Sequence, residues 1–374
     1  MKLGYIAHKV HRHGGMERAG AEVLERFARQ HQVVVLAREC EVRGANIKFV
    51  PLHPLPRPNA LLSWSFQREA QRVEGDIDLD LTNAVGASAR EADVITAQFC
   101  HAAFHANHGT LRGGSSRSRR IYQAVAEKIF TRQEMRAYTS PRLKRVIAVS
   151  QGMKRELITY YGVDERKITV IPNGVDHQTF SPEKDPEAKR ALRRQLGLPE
   201  DNFLCLFVGG DWDRKGLADA VGAVAGLPKT SLIVVGSGDV DRYRKLAQAV
   251  GAEHQIIFAG QSLRSHDYYR AADIFVFPSR YEAFSLVTIE AAASGLPILA
   301  LRINGTEELI EEGSNGYFVE GSPVSIREKI ELLSQNRPLL TEMSEAALES
   351  SRRYTWDRVA SEQLEVFESV LGHR

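Results

Sequence analysis

Cysteine is scarce in this chain: Cys40, Cys100 and Cys205 are the only three in 374 residues, an odd number set far apart. That excludes a disulfide framework and points to a reducing compartment. No apolar run approaches the ~20 residues of a membrane span, and the run in MKLGYIAHKV is too short for a signal peptide. The expected location is therefore cytoplasmic. Low-complexity tracts and internal repeats at solenoid periods are missing. So are aromatic-rich and zinc-module patterns, and nucleic acid is not an expected partner.

Net charge is slight as well, +2, but it hides an imbalance. Between Arg112 and Arg145 ten Lys or Arg stand against Glu127 and Glu134 alone, a local +8. Within that stretch SRSRRIYQAVAEKIFTRQEMRAY reads as a helix carrying Ile121, Val125, Ile129 and Phe130 among its charges. Two readings stay open. A basic helix of this kind lies on an anionic membrane surface, peripheral on the inner face of the cytoplasmic membrane. Alternatively it is solvated, with its apolar stripe in the core.

What is present is a strand–helix alternation. A chain of 374 residues exceeds one compact core and suits two domains. KLGYIA, QVVVLA, IKFVPL, DVITAQ, RVIAVS and ITVIPN read as strands in the first half. FLCLFVGG, SLIVVGSG, IIFAG, DIFVFPS, LPILAL and GYFV do so in the second. The expected class is α/β, two doubly wound domains with mostly parallel sheets facing a central cleft. Pro172, Asn173, Gly174 and Pro182 punctuate the break between them. The expected domains are 1–175, 176–355, and a C-terminal helix over 356–374 that packs back on the first. Trp356, Val359, Leu364, Phe367 and Leu371 form its apolar stripe.

The most informative pair is Glu282 and Glu290, with seven residues between them in YEAFSLVTIEAAASGLP. SLVTIEAAASG reads as a helix ended by Gly295 and Pro297. Glu282 would sit just before it and Glu290 about two turns inside, roughly 12 Å away at ~1.5 Å per residue. The backbone N–H groups of the first turn, a ready anion site, would lie between them. Carboxylate, anion site, carboxylate matches sugar hydroxyls, diphosphate and ribose diol of a nucleotide sugar. The plainer alternative is that Glu282 complements the helix dipole and Glu290 pairs with an arginine.

Four further places carry chemistry. Gly14 and Gly15, after the first strand, let backbone approach a ligand with no Cβ in the way. His8, His11 and His13 precede them but share no helix face, and no carboxylate cluster completes a metal site. Arg214 and Lys215 stand before the helix that begins after Gly216. Cations there oppose its dipole by ~0.3–1 kcal/mol each unless a bound diphosphate reverses the sign. Pairing with Asp211 and Asp213 is the other reading. Asn304 and Gly305, after LPILAL, suit a contact to donor sugar or phosphate, or simple capping by Asn304 or Thr306. His101 follows the strand DVITAQ and would face the cleft, unless it is structural. Two tempting patterns fail. DIDLD (Asp76, Asp78, Asp80) follows no strong strand and precedes a likely loop, unlike a metal-binding Asp-x-Asp. GSGDVD lacks the third glycine of a nicotinamide-cofactor fingerprint.

Together these residues resemble the retaining glycosyltransferases of family 4, with the GT-B fold. The carriers are Glu282 and Glu290, DRKG with Arg214 and Lys215, Gly14–Gly15, the IPNGVD from Ile171 to Asp176, AVSQGMKREL and NGYFV. The resemblance implies a nucleotide-sugar donor, no cofactor and no required metal. It implies that His101 contacts the sugar near the reacting carbon. It further implies that Ala283, Phe284, Ser285 and Leu286 meet sugar hydroxyls and phosphate through backbone. Many members place an Arg directly after the strand of the lysine loop, where this chain has Gly210 and Asp211. The loop GGDWDRKG looks instead like that of the lipopolysaccharide core glucosyltransferase group. By that analogy the donor is a UDP-hexose such as UDP-glucose and the acceptor a cell-surface glycan or glycolipid. The implied mechanism is front-face transfer with retention. An epimerase of the same fold and a non-catalytic sugar-binding protein remain alternatives.

Overall fold

A computed structural model describes residues 1–56, 59–108 and 117–372, with the side chains of all of these except 108 and 117–123. Arg112, and the side chains of Arg117, Arg119, Arg120 and Ile121, thus lie outside the described residues. The chain forms two compact units, Met1–Gly174 with Trp356–Arg374, and Val175–Thr355.

The first unit has a seven-stranded parallel sheet and a two-stranded ribbon. Its strands are β1 Lys2–Ile6, β2 Lys9–Val10, β3 Gln32–Ala37, β4 Glu39–Cys40, β5 Ile47–Pro51, β6 Leu81–Val85, β7 Val94–Ala97, β8 Arg145–Ala148 and β9 Ile168–Val170. The sheet order is β5-β3-β1-β6-β7-β8-β9, with β2 and β4 paired apart. The order turns over between β1 and β6, so this is where the strand ends open a crevice. β3 is buried at five successive residues, as a strand covered on both faces must be.

The strand β6 corrects the sequence reading, which placed a likely loop after DIDLD. LTNAV carries Thr82 and Asn83 where an apolar run was sought, yet both are buried mid-sheet. Thr82 is satisfied there: its N–H donates to Asp93 and its hydroxyl to Glu74 at 2.7 Å. Arg142 ties both carboxylates together, at 2.6 Å and 3.0 Å. A polar network around Thr82 thus replaces hydrophobic burial there.

The C-terminal helix Trp356–Leu371 packs on the helix Met16–Phe27. Phe27 and Phe367 meet edge to face at 5.6 Å, and Arg26 pairs with Asp357 at 2.8 Å. Leu364 and Leu371 are only half-buried; Gln363, Val366 and Val370 complete the packed stripe instead. The helix Arg117–Tyr138 is also rotated from expectation. Val125 is 51% exposed, while Glu127, Gln133 and Glu134 are buried.

The second unit has a six-stranded parallel sheet. Its strands are β10 Phe203–Val208, β11 Thr230–Val235, β12 Ile256–Gly260, β13 Ile274–Phe277, β14 Ile298–Ala300 and β15 Gly316–Phe318. The order β12-β11-β10-β13-β14-β15 turns over between β10 and β13. Phe207, Leu232, Val234, Ile274, Val276 and Leu299 from the strands pack with buried Ala, Leu and Ile of the helices into one core cluster. Three loops leave the sheet at or beside that turnover: 209–216, 278–285 and 301–305. They hold most of the chemistry foreseen for this half.

Candidate functional site

The loop after β10 bends at Gly209 (φ +141°) and again at Gly216 (φ +73°), the N-cap of the helix Leu217–Val224. Glycine is required at both. A Cβ on Gly209 would lie 2.7 Å from the Lys215 stem, and one on Gly216 would strike the Pro278 carbonyl at 2.3 Å. The tight passage holds Lys215 down over the Phe277 ring, its Nζ 4.5 Å from the centroid.

Lys215 Nζ donates to Glu282 Oε1 at 2.8 Å, Arg214 Nη1 donates to the same oxygen at 3.0 Å, and the Ser279 hydroxyl does so at 3.0 Å. Arg214 also pairs with Asp211 at 2.8 Å. Of the two aspartates weighed as surface partners, Asp211 therefore takes Arg214. Asp213 takes neither cation and binds Arg242 and Tyr243. Burial alone would raise the Glu282 pKa, but the two cations and their hydrogen bonds outweigh it and hold the carboxyl below its ordinary range. Three donors converge on Oε1, and Oε2 receives none among the described residues.

The helix Leu286–Ala293 begins four residues after Glu282. Glu290 is its fifth residue, a little over one turn inside rather than two. It is 3% exposed, and its Oε2 accepts from the Tyr269 hydroxyl at 3.0 Å. Tyr269 is thus one partner of this carboxylate. Ser285, the N-cap, makes no capping bond, and its buried hydroxyl has no partner among the described residues. Ala283, Phe284, Ser285 and Leu286 are all buried. Gly305 (φ +83°) lies against them, and a Cβ on it would stand 3.1 Å from Phe284 Cα. Gly305 is the N-cap of a four-residue turn of helix, and the Thr306 hydroxyl closes the loop by donating to the carbonyls of Leu301 and Ile303. Asn304 is half-buried beside it.

In the first unit the strand ends of β1, β3, β6 and β7 surround a cavity of about 390 Å³. His8, Arg38, His101, Gln133 and Glu134 are among its walls. His101 opens the helix His101–His108. Its backbone N–H donates to Glu134 Oε2 at 2.9 Å, and Tyr161 donates to the same oxygen. Phe99 and Phe130 hold the His101 ring edge to face at 4.7 Å and 4.9 Å. Burial pushes the Glu134 pKa up to about 8, against the hydrogen bonds from Tyr161 and His101. Gly14 (φ +83°) and Gly15 lie exposed before the helix Met16–Phe27, with open space where a Cβ on Gly15 would point. The ribbon strand β2 intervenes between β1 and this turn. Among the described residues no three His, Cys, Asp or Glu stand as a metal-ligand group.

Sequence reasoning missed Ser279, Tyr269, Glu134, Gln133 and Arg38. Ser279 was discoverable, three residues before Glu282 in a strand-end loop. Glu134 was seen only as a charge inside a basic helix, and nothing in its spacing marked it as buried.

Residues 13–179 match the family described as Glycosyltransferase Family 4, and residues 188–350 match Glycosyl transferases group 1. A D-inositol 3-phosphate glycosyltransferase of Xylanimonas cellulosilytica is 32% identical over 61% of this chain and 58% of its own length. An uncharacterised glycosyltransferase of Methanocaldococcus jannaschii is 28% identical over 67% of this chain and 66% of its own. The chain thus spans less than two thirds of the curated relatives it matches. Among solved structures, WaaG, a glycosyltransferase involved in lipopolysaccharide biosynthesis, superposes with a TM-score of 0.83 at 20% identity, covering 97% of this chain and 99% of that one. Anabaena Alr3699/HepE, in complex with UDP and glucose, does so with 0.76 at 22% identity, covering 99% and 100%. Each of the two Rossmann-like units is thus matched by one glycosyltransferase family description, over 13–179 and 188–350, and the chain as a whole has the GT-B fold.

Proposed function

We propose that the chain is a retaining glycosyltransferase that moves a hexose from a nucleotide sugar, UDP-glucose by first choice, to a hydroxyl of a glycan or glycolipid in cell-surface polysaccharide or lipopolysaccharide synthesis. One observation carries the reading. Two cations, Arg214 and Lys215, and the N-terminus of the helix Leu286–Ala293, whose Ser285 hydroxyl has no partner among the described residues, are gathered at the strand turnover of the second sheet. Such a place suits a diphosphate, through charge-assisted hydrogen bonds and free backbone N–H groups. The names of the relatives point the same way, since HepE is described with UDP, with UDP and glucose, and with UDP-glucose.

In this reading Arg214 and Lys215 stabilise the charge that grows on the leaving diphosphate. Glu282 holds both cations through Oε1 and keeps Oε2 for a sugar hydroxyl. Glu290, set by Tyr269, takes the ribose diol. Gly14 and Gly15 offer backbone to the phosphates, and Asn304 and Gly305 to the donor. His101 contacts the sugar near the reacting carbon. The acceptor hydroxyl attacks from the leaving-group face and passes its proton to the departing phosphate. No carboxylate acts as a glycosidase-type nucleophile, and no metal is needed where two cations already neutralise the diphosphate. The exposed Lys128, Arg132 and Arg136, with the wider Arg112–Arg145 segment, supply a contact to an anionic membrane surface.

The test is release of nucleoside diphosphate from a UDP-hexose. Release that depends on added acceptor supports transfer. Interconversion of the sugar nucleotide without release would mark an epimerase, and tight donor binding with no turnover a sugar-binding protein.

A further inference from the structure

The first-unit cavity carries three polar groups that its own walls leave unanswered. His8 follows β1 and is half-buried against Phe66, ring centroids 4.1 Å apart, and its buried Nδ1 has no hydrogen-bond partner among the described residues. Gln133 is 5% exposed. The Ser63 hydroxyl donates to its Oε1 at 2.8 Å, which fixes the amide and leaves Nε2 buried with no acceptor among the described residues. Arg38 follows β3 beside His8, its backbone N–H donating to the His8 carbonyl at 3.0 Å. The adjacent Glu39 is drawn away to Lys9 at 2.9 Å. The half-buried Arg38 fork is thereby left without a hydrogen-bonded carboxylate among the described residues.

Buried polar atoms are ordinarily paired, and a wall that leaves two of them, His8 Nδ1 and Gln133 Nε2, unpaired among the described residues beside the half-buried Arg38 fork is complementary to something absent from the chain. The other charges do not fill the gap. Glu17 turns back over the Gly14 turn, its Oε2 2.6 Å from where a Cβ on Gly14 would be. Glu134 is occupied beneath His101. Burial, then the charge of Arg38, push the His8 pKa down to about 4, so the imidazole is neutral and offers a hydrogen bond rather than a charge.

We propose that this cavity binds an anionic sugar, one bearing a phosphate or a carboxylate, with the Arg38 guanidinium taking the anion and His8 and Gln133 taking hydroxyls. Calling that sugar the acceptor rests on the transferase reading; the binding itself does not. A guanidinium matches either anion through two parallel bonds. The cavity volume, about 390 Å³, is at the single-ligand end of the range for small-molecule sites.

Calorimetric titration of the full chain with glucose 6-phosphate, glucuronate, glucose and inorganic phosphate tests it, with UDP as an independent probe. Both anionic sugars should bind at least tenfold tighter than glucose. Arg38→Gln should weaken them roughly 10–100-fold, the size of a lost bidentate contact, and change glucose less than twofold. Gln133→Leu should weaken all three sugars alike. Unchanged UDP affinity and thermal midpoint in Arg38→Gln show that the variant is folded. Equal affinity for glucose and glucose 6-phosphate overturns the proposal. So does an anion preference that survives Arg38→Gln, or inorganic phosphate binding as tightly as the sugar phosphate. UDP binding with no sugar binding sinks this site alone, whereas sugar-phosphate binding with no UDP binding sinks the transferase reading and leaves the site standing.

Discussion

Glu134 anchors His101 from 33 positions away in the chain: its carboxyl takes the histidine's backbone N–H at 2.9 Å, at the first residue of the helix His101–His108. Oε1 of the same carboxyl lies 3.9 Å from His101 Nδ1. Tyr138, Tyr161, Cys100 and Glu156 surround it. The fold thus holds a carboxyl whose protonation is coupled to the placement of the first-unit histidine.

The first prediction concerns that coupling. The folded pKa of Glu134, about 8, lies above an unfolded value near 4.5, so the folded state holds the extra proton between them. Stability should therefore fall as pH rises through that window and level off above about 8. The loss is on the order of 2–5 kcal/mol as an upper bound. Glu134→Gln keeps an acceptor and removes the titration. Chemical denaturation at pH 5 and pH 8 should show a steeper decline in the unaltered protein than in the variant. Parallel declines would mean that Glu134 does not carry the coupling.

The cation cluster gives a second prediction. Lys215→Ala should lower kcat by roughly 10²–10³-fold, as loss of one preorganised charge donor does. Glu290→Ala should mainly raise the donor KM, because the ribose is unchanged through the reaction. Steady-state kinetics separate the two effects. A folded Glu290→Ala with unaltered donor affinity would remove the ribose assignment.

A third prediction follows from Glu282, whose Oε1 binds both Arg214 and Lys215. Glu282→Gln leaves two half-buried cations side by side, and removing one member of such a cluster costs roughly 3–5 kcal/mol. The melting temperature of the ligand-free variant should drop. Added UDP should restore more of it than it adds to the unaltered protein, because a diphosphate supplies the missing negative charge. Equal UDP shifts in both proteins would place the diphosphate elsewhere.

The same cations should make an added metal dispensable. Turnover should survive excess EDTA, and complete loss restored by Mn²⁺ or Mg²⁺ would return attention to Asp76, Asp78 and Asp80. The basic segment is tested separately by vesicles. Binding should rise with anionic lipid and fall with salt, at about 1 kcal/mol per Lys or Arg near the surface. Equal binding to neutral and anionic vesicles would leave the segment a solvated helix.

Much of this arrangement was legible because a parallel sheet writes buried strands as continuous apolar runs. FLCLFV and IFVF announced themselves, and the loops after them held the cations and carboxylates where strand ends place ligands. LTNAV was hidden because its burial rests on Thr82, Asp93, Glu74 and Arg142 satisfying one another across long sequence separations. The buried face of the helix Arg117–Tyr138 was hidden for the same reason. Glu134 and Gln133 face inward because Tyr161, Ser63 and the His101 backbone receive them, and hydrophobic periodicity carries no trace of such partners. Pairwise polar chemistry decides where composition cannot.

The account stands or falls on a diphosphate held by Arg214 and Lys215, and titration with uridine, UMP and UDP without metal tests that most directly. Each charge-assisted contact to phosphate contributes roughly 1.5–3 kcal/mol, so UDP should bind at least tenfold tighter than UMP, and Lys215→Ala should erase most of that difference while leaving uridine unaffected. UDP binding no tighter than uridine, or a UDP preference untouched by Lys215→Ala, would contradict it.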